Sequence, residues 1–422
     1  MTSTPSRLRI AYINQDFPPE VGAGPARVLE LALSWQKAGA EVTVITGMPN
    51  RRMPGRPDGA VHPDYRGRAF MEEDWQGLRV LRSWLYASPE RGVARTMANN
   101  ASFMVTGALH ALARGGRFDV AIASSPPFLA HVTGELMRRV KRVPLVLEVR
   151  DLWPDYLVEM GVFEGRWSQK MLFGLERYLL GRADHVVVVT ERFRARMAEK
   201  GVPPDAVSVI PNGVDLDRYH PDTAPSPLPA LAHQDGEFLV GYLGNFGAGQ
   251  DLRTVIEAAA LVEGAAPDVR FVLVGDGKEK PLVEASARER GLKNLSIHPP
   301  IERSDTRAFY NACDLCLVPL APLPILRNTV PSKLFEILAC ERPVLGSVAG
   351  EAAGLLRDSG AGWVTAPGDA AAMARGILRA RELSAGERAQ VGSRGRRYVA
   401  EHFGRDRLAS RYLEILKQVA RA

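Results

Sequence analysis

Residues 9–46 read RIAYINQDFPPEVGAGPARVLELALSWQKAGAEVTVIT. Arg9 to Asn14 is a short, mostly apolar run, as in a strand buried on both faces. From about Pro25 to Ala38 the side chains of Val28, Leu29, Leu31, Ala32 and Trp35 recur at helical spacing. A second apolar run, Glu41 to Thr46, closes the unit. A strand, a glycine-bearing turn, an amphipathic helix and another strand open a parallel, doubly wound sheet, because parallel neighbours need a crossover. GAGPAR at Gly22 to Arg27 begins like a dinucleotide fingerprint. Arg27 stands where the third small residue belongs, however, and no acidic residue ends VTVITG. That weighs against a nicotinamide or flavin site and leaves Gly22 and Gly24 as points where backbone can approach a phosphate.

The same alternation runs through the rest of the first half. Strands are read at Leu78 to Trp84, Asp119 to Ser124, Leu145 to Val149, Val186 to Thr190 and Val207 to Ile210, with helices between them such as Val93 to Ala113. Gly47 to Gly77, rich in Pro, Gly and Arg, shows little periodicity and reads as one long loop. After Pro211-Asn212-Gly213-Val214-Asp215 comes DTAPSPLPA, a Pro-rich linker. The pattern then restarts at Phe238 to Leu243, followed by GNFGAG and a helix from about Asp251 to Val262. Further strands are read at Arg270 to Val274, Leu295 to His298, Leu315 to Pro319, Pro343 to Gly346 and Trp363 to Val364. The expected fold is α/β, with two Rossmann-like doubly wound parallel-sheet domains over residues 1–222 and 223–400. Residues 401–422 are expected to form a helix strapping back to the first domain.

A chain of 422 residues, 46% hydrophobic and 24% charged, has the size and balance of a two-domain globular protein. It contains no apolar run long enough to span a bilayer, and MTSTPSRLRIAYI lacks a signal-peptide core, so a cytoplasmic location is expected. Cys313, Cys316 and Cys340 do not make a disulfide framework, and the CxxC pair falls in an apolar stretch suited to packing. The net charge of +6 is uneven: residues 1–220 carry 29 Lys and Arg against 24 Asp and Glu, the remainder 25 against 24. Arg138, Arg139, Lys141 and Arg142 are the densest basic run. A basic half suits nucleic acid, anionic lipid or a phosphorylated substrate, and a solvated helix end explains the run as well.

Ligands in such sheets bind beyond the carboxyl ends of strands. At one such end stand Arg150 and Asp151, readable as an ion pair or as functional groups. At others stand Gly244-Asn245 and Gly275-Asp276-Gly277. Between two strands lies TVPSKLFEILACERP, Thr329 to Pro343. Pro331 and Ser332 read as the first turn of a helix, with Ser332 capping its amides. Lys333 sits in that turn, and Glu336 lies on the same face. Amides beside a Lys suit a phosphate, and a carboxylate one turn on suits a sugar diol. Asp215-Leu216-Asp217 has D-x-D spacing but reads better as a turn aspartate than as a metal site.

Taken in order, DFPPEVGAG, PNGVD, YLGNFG, VGDG and PSKLFE–ERPV resemble the retaining GT-B glycosyltransferases of family 4 over nearly the whole chain. RDLWPD with PSKL resembles the bacterial O-antigen and exopolysaccharide (fucosaminyltransferase-like) subgroup. The resemblance implies two domains facing a cleft and metal-independent transfer from a nucleotide-sugar donor, more specifically a UDP-sugar, with no cofactor. It implies a glycan or lipid-diphosphate-linked acceptor, peripheral contact with the inner face of an anionic membrane, and no nucleic-acid partner. Glu336 matches the second glutamate of the family's Glu-x7-Glu motif, which holds the ribose; Asn328 stands at the first. The family's diphosphate-gripping Arg and Lys fall at Asn245 and Gln250, and a first-domain His falls at Arg150. Lys333, with Arg327 or Arg150, is therefore expected to supply the missing positive charge. Gly22, Gly24, Gly244, Gly275 and Asp276 would approach the donor, beside Ser332. Ile301 and Arg303 would lie at the base, while Arg150, Asp151 and Asn328 would flank the reacting sugar. A nucleotide-sugar epimerase and a transferase for soluble small molecules stay open as alternatives. A nucleic-acid binder finds no array of aromatic and basic residues to support it.

Overall fold

The computed structural model describes residues 7–51, 59–89, 92–159, 161, 165–222, 229–231 and 236–421. They form two compact units, Met1–Pro211 with Asp406–Ala422, and Asn212–Arg405. The first unit contains β1 (Arg9–Ile13), α1 (Ala23–Lys37), β2 (Glu41–Gly47), β3 (Phe70–Trp75), β4 (Leu78–Ser83), α2 (Val93–Arg114), β5 (Val120–Ser125), α3 (Ala130–Lys141) and β6 (Leu145–Val149). It continues with α4 (Trp153–Glu159), α5 (Arg166–Leu180), β7 (His185–Val188), α6 (Glu191–Glu199) and β8 (Val207–Val209). The sheet order is β3-β4-β2-β1-β5-β6-β7-β8, parallel throughout except for the β3–β4 pair. The order turns back at β1 and β5, which places the strand-end crevice there.

β3 corrects the sequence reading, which treated Gly47 to Gly77 as a loop. Its six residues, FMEEDW, alternate between exposed and half-buried, and none is buried. An edge strand outside the core carries little apolar signal. Residues 52–58 of that stretch, and 223–228 of the expected linker, lie outside the described residues.

The second unit contains β9 (Phe238–Asn245), α7 (Leu252–Ala265), β10 (Val269–Asp276), α8 (Lys280–Glu289), β11 (Leu295–His298), α9 (Thr306–Ala312) and β12 (Leu315–Pro319). After these come α10 (Ser332–Ala339), β13 (Val344–Ser347), α11 (Glu351–Ser359), β14 (Gly362–Thr365), α12 (Ala370–Glu382) and α13 (Ala385–His402). Its parallel sheet runs β11-β10-β9-β12-β13-β14, so the switch point lies between β9 and β12. All three cysteines are free and buried, within the apolar layer between this sheet and α10.

The chain ends in α14 (Arg405–Val419), whose Leu408, Tyr412 and Leu416 are buried in the first unit's core with Tyr12 and Trp35. The Trp35 indole donates to the Ala409 carbonyl at 2.9 Å and meets the Tyr412 ring edge-on at 5.2 Å.

Arg27, the residue that breaks the dinucleotide fingerprint, turns inward. Its guanidinium lies 3.0 Å from the fully buried Glu148 carboxylate and donates to the carbonyls of Ile210 and Pro211. The Tyr12 and Ser124 hydroxyls complete the Glu148 shell. Burial pushes the Glu148 pKa up. The charges of Arg27 and Arg150 and the two hydroxyls outweigh it, so the carboxyl ionises below its ordinary range. Its contribution to stability is therefore present above the unfolded carboxyl pKa and is lost as pH falls through the lower folded value. Replacing Arg27 alone leaves a buried charge uncompensated. Arg27→Met is expected to lower unfolding free energy by about 3–5 kcal/mol, and Arg27→Met with Glu148→Leu to recover part of that loss. Urea titration of the two variants against the native chain measures both.

Candidate functional site

The second unit's switch point is built from glycines and one lysine. β9 and β10 stay paired to their last residues, Gly244 against Gly275 and Asn245 against Asp276. Gly244 has φ +152° and Gly275 the same. A Cβ on Gly275 would collide with the Gly244 carbonyl, so the strand ends come together only because that side chain is missing. A Cβ on Gly244 would lie 2.5 Å from Lys333 Nζ. The ammonium of α10 thus occupies the space beside the β9 turn that a side chain would take.

Lys333 Nζ donates to Gln250 Oε1 at 3.2 Å and stands 4.1 Å from the centroid of the Tyr242 ring. Tyr242 in turn donates its hydroxyl to the Asn245 carbonyl at 2.7 Å, which holds the turn on the ring. Among the described residues no carboxylate forms an ion pair with Lys333. Desolvation pushes its pKa down to about 7, against the partial opposition of Glu336. The cation sits at Gln250, where the family pattern has its own lysine.

Ser332 corrects a second reading. Pro331, not Ser332, is the N-cap residue of α10, and no side chain caps that end. The first-turn amides next to Lys333 keep the geometry of an anion site.

Glu336 is held one turn further on. The Tyr310 hydroxyl donates to its Oε2 at 3.1 Å, and Tyr219 bonds it too, with Arg303 close by. Arg303 reaches the Tyr219 hydroxyl and accepts from Arg218 through its carbonyl. Burial raises the Glu336 pKa while these partners oppose the rise. The two tyrosines escaped the sequence reading. The available signal was a phenol inside the apolar helix α9 and another behind PNGVD, each of which needs a polar partner when buried.

Arg327 and Asn328 occupy a 3-10 turn, Pro324–Asn328, that packs against Gly350 at the start of α11. The chain before that turn reaches the same rim, since Ala321 N donates to the Gly249 carbonyl at 3.0 Å. Ile301 is half-buried against the core. Asp276 is exposed, and its Oδ1 accepts from Gly277 N at 2.8 Å. Asp215 Oδ1 caps its own turn, accepting from the amides of Asp217 and Arg218 at 3.0 Å each.

In the first unit, Gly22 is the N-cap of α1, and Gly24 lies in the first turn with the Arg150 guanidinium 3.1 Å from where its Cβ would be. Arg150 donates to Asn14 Oδ1 and to the carbonyls of Ser125 and Pro126. These partners fix it at the β1–β5 switch point. Among the described residues it forms no ion pair with Asp151; burial pushes the Asp151 carboxyl up to about 6, and the charge of Arg150 opposes that rise only in part.

The lysine carries a measurable signature. With 13C-labelled lysine, one Cε resonance is expected to titrate near pH 7, well below the ordinary lysine value of about 10.4. That resonance should vanish in Lys333→Gln. Titration of every lysine at the ordinary value would contradict the desolvated setting described above.

A glycosyl transferase 4-like domain model matches residues 22–213, and a glycosyl transferases group 1 model matches residues 228–398. WbjE of Pseudomonas aeruginosa, named as a glycosyltransferase, is 27% identical over 62% of this chain and 66% of its own length. WcaI of Escherichia coli, named as a glycosyl transferase of colanic acid biosynthesis, is 26% identical over 79% of this chain and 81% of its own. The solved structure of Anabaena HepE in complex with UDP and glucose aligns with a TM-score of 0.70 and 21% identity, covering 97% of this chain and 100% of that one. With both sheets matched by these two models and by relatives of the same kind, the chain belongs to the GT-B glycosyltransferases of family 4.

Proposed function

We propose that the chain transfers a sugar from a UDP-linked donor, with retention at the anomeric carbon, to a hydroxyl of a lipid-diphosphate-linked saccharide in surface polysaccharide synthesis. One observation carries the donor half: a desolvated lysine ammonium packed against the Gly244 turn and uncapped helix amides, in contact with a neutral amide and a ring and paired with no carboxylate among the described residues. A diphosphate matches that setting in charge and in hydrogen-bonding capacity. HepE, solved with UDP and glucose on the same fold, supports the choice of nucleotide. The name of WcaI supports the polysaccharide acceptor.

In this reading Lys333, Gly244, Asn245, Gly275, Asp276 and Ser332 surround the diphosphate. Glu336 accepts from the ribose hydroxyls, Ile301 and Arg303 lie beside the base, and Arg327 adds charge at the rim. Arg150 and Asp151, with Gly22 and Gly24, act at the sugar or acceptor hydroxyl, and Asn328 takes the place of the first motif glutamate. The bond between the anomeric carbon and the diphosphate oxygen breaks, and the acceptor oxygen bonds to the same face. The departing diphosphate takes the acceptor's proton. Lys333 and the helix amides stabilise the charge on the leaving group, so no metal is needed.

The test is calorimetry with UDP-, GDP- and dTDP-sugars, with and without EDTA. UDP-sugar binding insensitive to EDTA is expected, and Lys333→Ala should weaken it by about 1.5–3 kcal/mol, roughly ten- to hundredfold in Kd. The pH dependence follows from the same lysine. A bound diphosphate favours the ammonium and raises its pKa, so binding takes up a proton wherever the free protein holds Lys333 neutral. UDP affinity should therefore fall as pH rises above about 7 in the native chain, and stay flat in Lys333→Ala. Conversion of the donor without any acceptor would replace transfer with epimerisation. Absence of binding across the panel would defeat the donor assignment.

A further inference from the structure

The described residues expose fourteen large apolar side chains, and eight of them lie on α2, α3 and α5. They form stripes at helical spacing. Val105 and Leu109 are 51% and 56% exposed on α2, and Val140 is 63% exposed on α3, one turn after Leu136. On α5 the stripe is Trp167, Met171 and Tyr178, with Trp167 75% exposed. The helices lie side by side, because α3 packs against both α2 and α5. Thr133 of α3 donates to the Met104 carbonyl of α2 at 3.2 Å, and Tyr178 of α5 donates to Glu135 of α3 at 3.2 Å.

The charges on this layer have one sign. α2 contains no acidic residue, and α3 and α5 contain one each, Glu135 and Glu176. Both are buried, Glu135 paired with Arg138 and Arg139 and Glu176 with Lys200. The exposed charges of the three helices are therefore cations, among them Arg114, Arg139, Arg166 and Lys170.

We infer that the outer face of α2, α3 and α5 docks on an anionic lipid surface. Aliphatic stripes bury into the acyl boundary, Trp167 and Tyr178 suit the headgroup level, and the cations meet lipid phosphates. A second copy of this face would set cation against cation, and the described residues of the three helices expose no carboxylate to answer. A nucleic acid would leave the aliphatic stripes in water. The inference adds a surface to the lipid-linked acceptor proposed above, and it is read from these helices independently of the donor site.

The experiment is co-sedimentation of the full chain with vesicles of phosphatidylcholine alone or mixed with phosphatidylglycerol, read without any nucleotide. Sedimentation only with the anionic vesicles is expected, weakened about tenfold when salt is raised to roughly 0.5 M. Trp167→Ser and Val140→Ser, at exposed positions, should each weaken it several-fold with Tm unchanged, and Lys170→Glu should act in the same direction. Failure to bind anionic vesicles, equal binding to neutral ones, or full binding by all three variants would overturn the inference. So would sedimentation of the native chain as a dimer that Trp167→Ser and Val140→Ser dissociate. Failure of UDP to bind would leave vesicle binding unchanged, so the two readings fail separately.

Discussion

The second unit is organised around the close approach of Gly244 and Gly275. A Cβ on Gly275 would meet the Gly244 carbonyl, so the pairing of these two strand ends requires glycine there. Here both side chains are missing, and the space on the Gly244 side is taken by Lys333 Nζ. That packing sets the start of α10, whose first turn must reach the β9 turn for the ammonium to arrive. It also sets the loop after β12, which hydrogen-bonds back to Gly249. A side chain at Gly244 would displace the ammonium, and one at Gly275 would part the strands.

On the proposed reading, the cation's origin keeps a site while its residues change. In the family pattern the positive charge comes from the turn after the first strand of the second domain. In this chain that turn offers Asn245 and Gln250, and the charge comes from α10 across the switch point. Gln250 remains as the acceptor that orients the ammonium. A residue-by-residue comparison finds two losses, whereas on the proposed reading one charge has moved to another element. Tyr242 makes the move tolerable by presenting a ring face to a cation that has left bulk water.

Much of this was legible in the sequence wherever burial wrote a periodic signal. The parallel strands were readable to within two residues, most of them because they are buried and their composition is continuous and apolar, while β11 and β14 are only half-buried. β3 was not, since an edge strand with no buried side chain has no pattern to show. Ser332 was misread as a cap because Pro-Ser fits either frame of a helix start, and only backbone angles separate the two. Tyr219 and Tyr310 were invisible for another reason. Their role depends on a contact with Glu336 between residues far apart in the chain, which no local spacing encodes. Arg27 was noticed only as a departure from a fingerprint, and its positive reason, the buried Glu148, lies 121 residues away.

Arg27 and Lys333 separate a structural charge from a functional one. Both are cations at the crevice end of a parallel sheet, each drawn out of water. Arg27 has a buried carboxylate at 3.0 Å and two carbonyls, so its field is closed within the fold. Its pKa stays above the ordinary value despite desolvation. Lys333 touches one neutral amide and one ring, Glu336 opposes its desolvation only in part, and its pKa falls to about 7. A desolvated cation answered by a full counter-charge stabilises the fold. One answered by dipoles, and by a carboxylate only in part, costs stability, and the fold carries that cost at the strand ends where such sheets take ligands. On the proposed reading, the donor diphosphate adds the counter-charge that Glu336 supplies only in part.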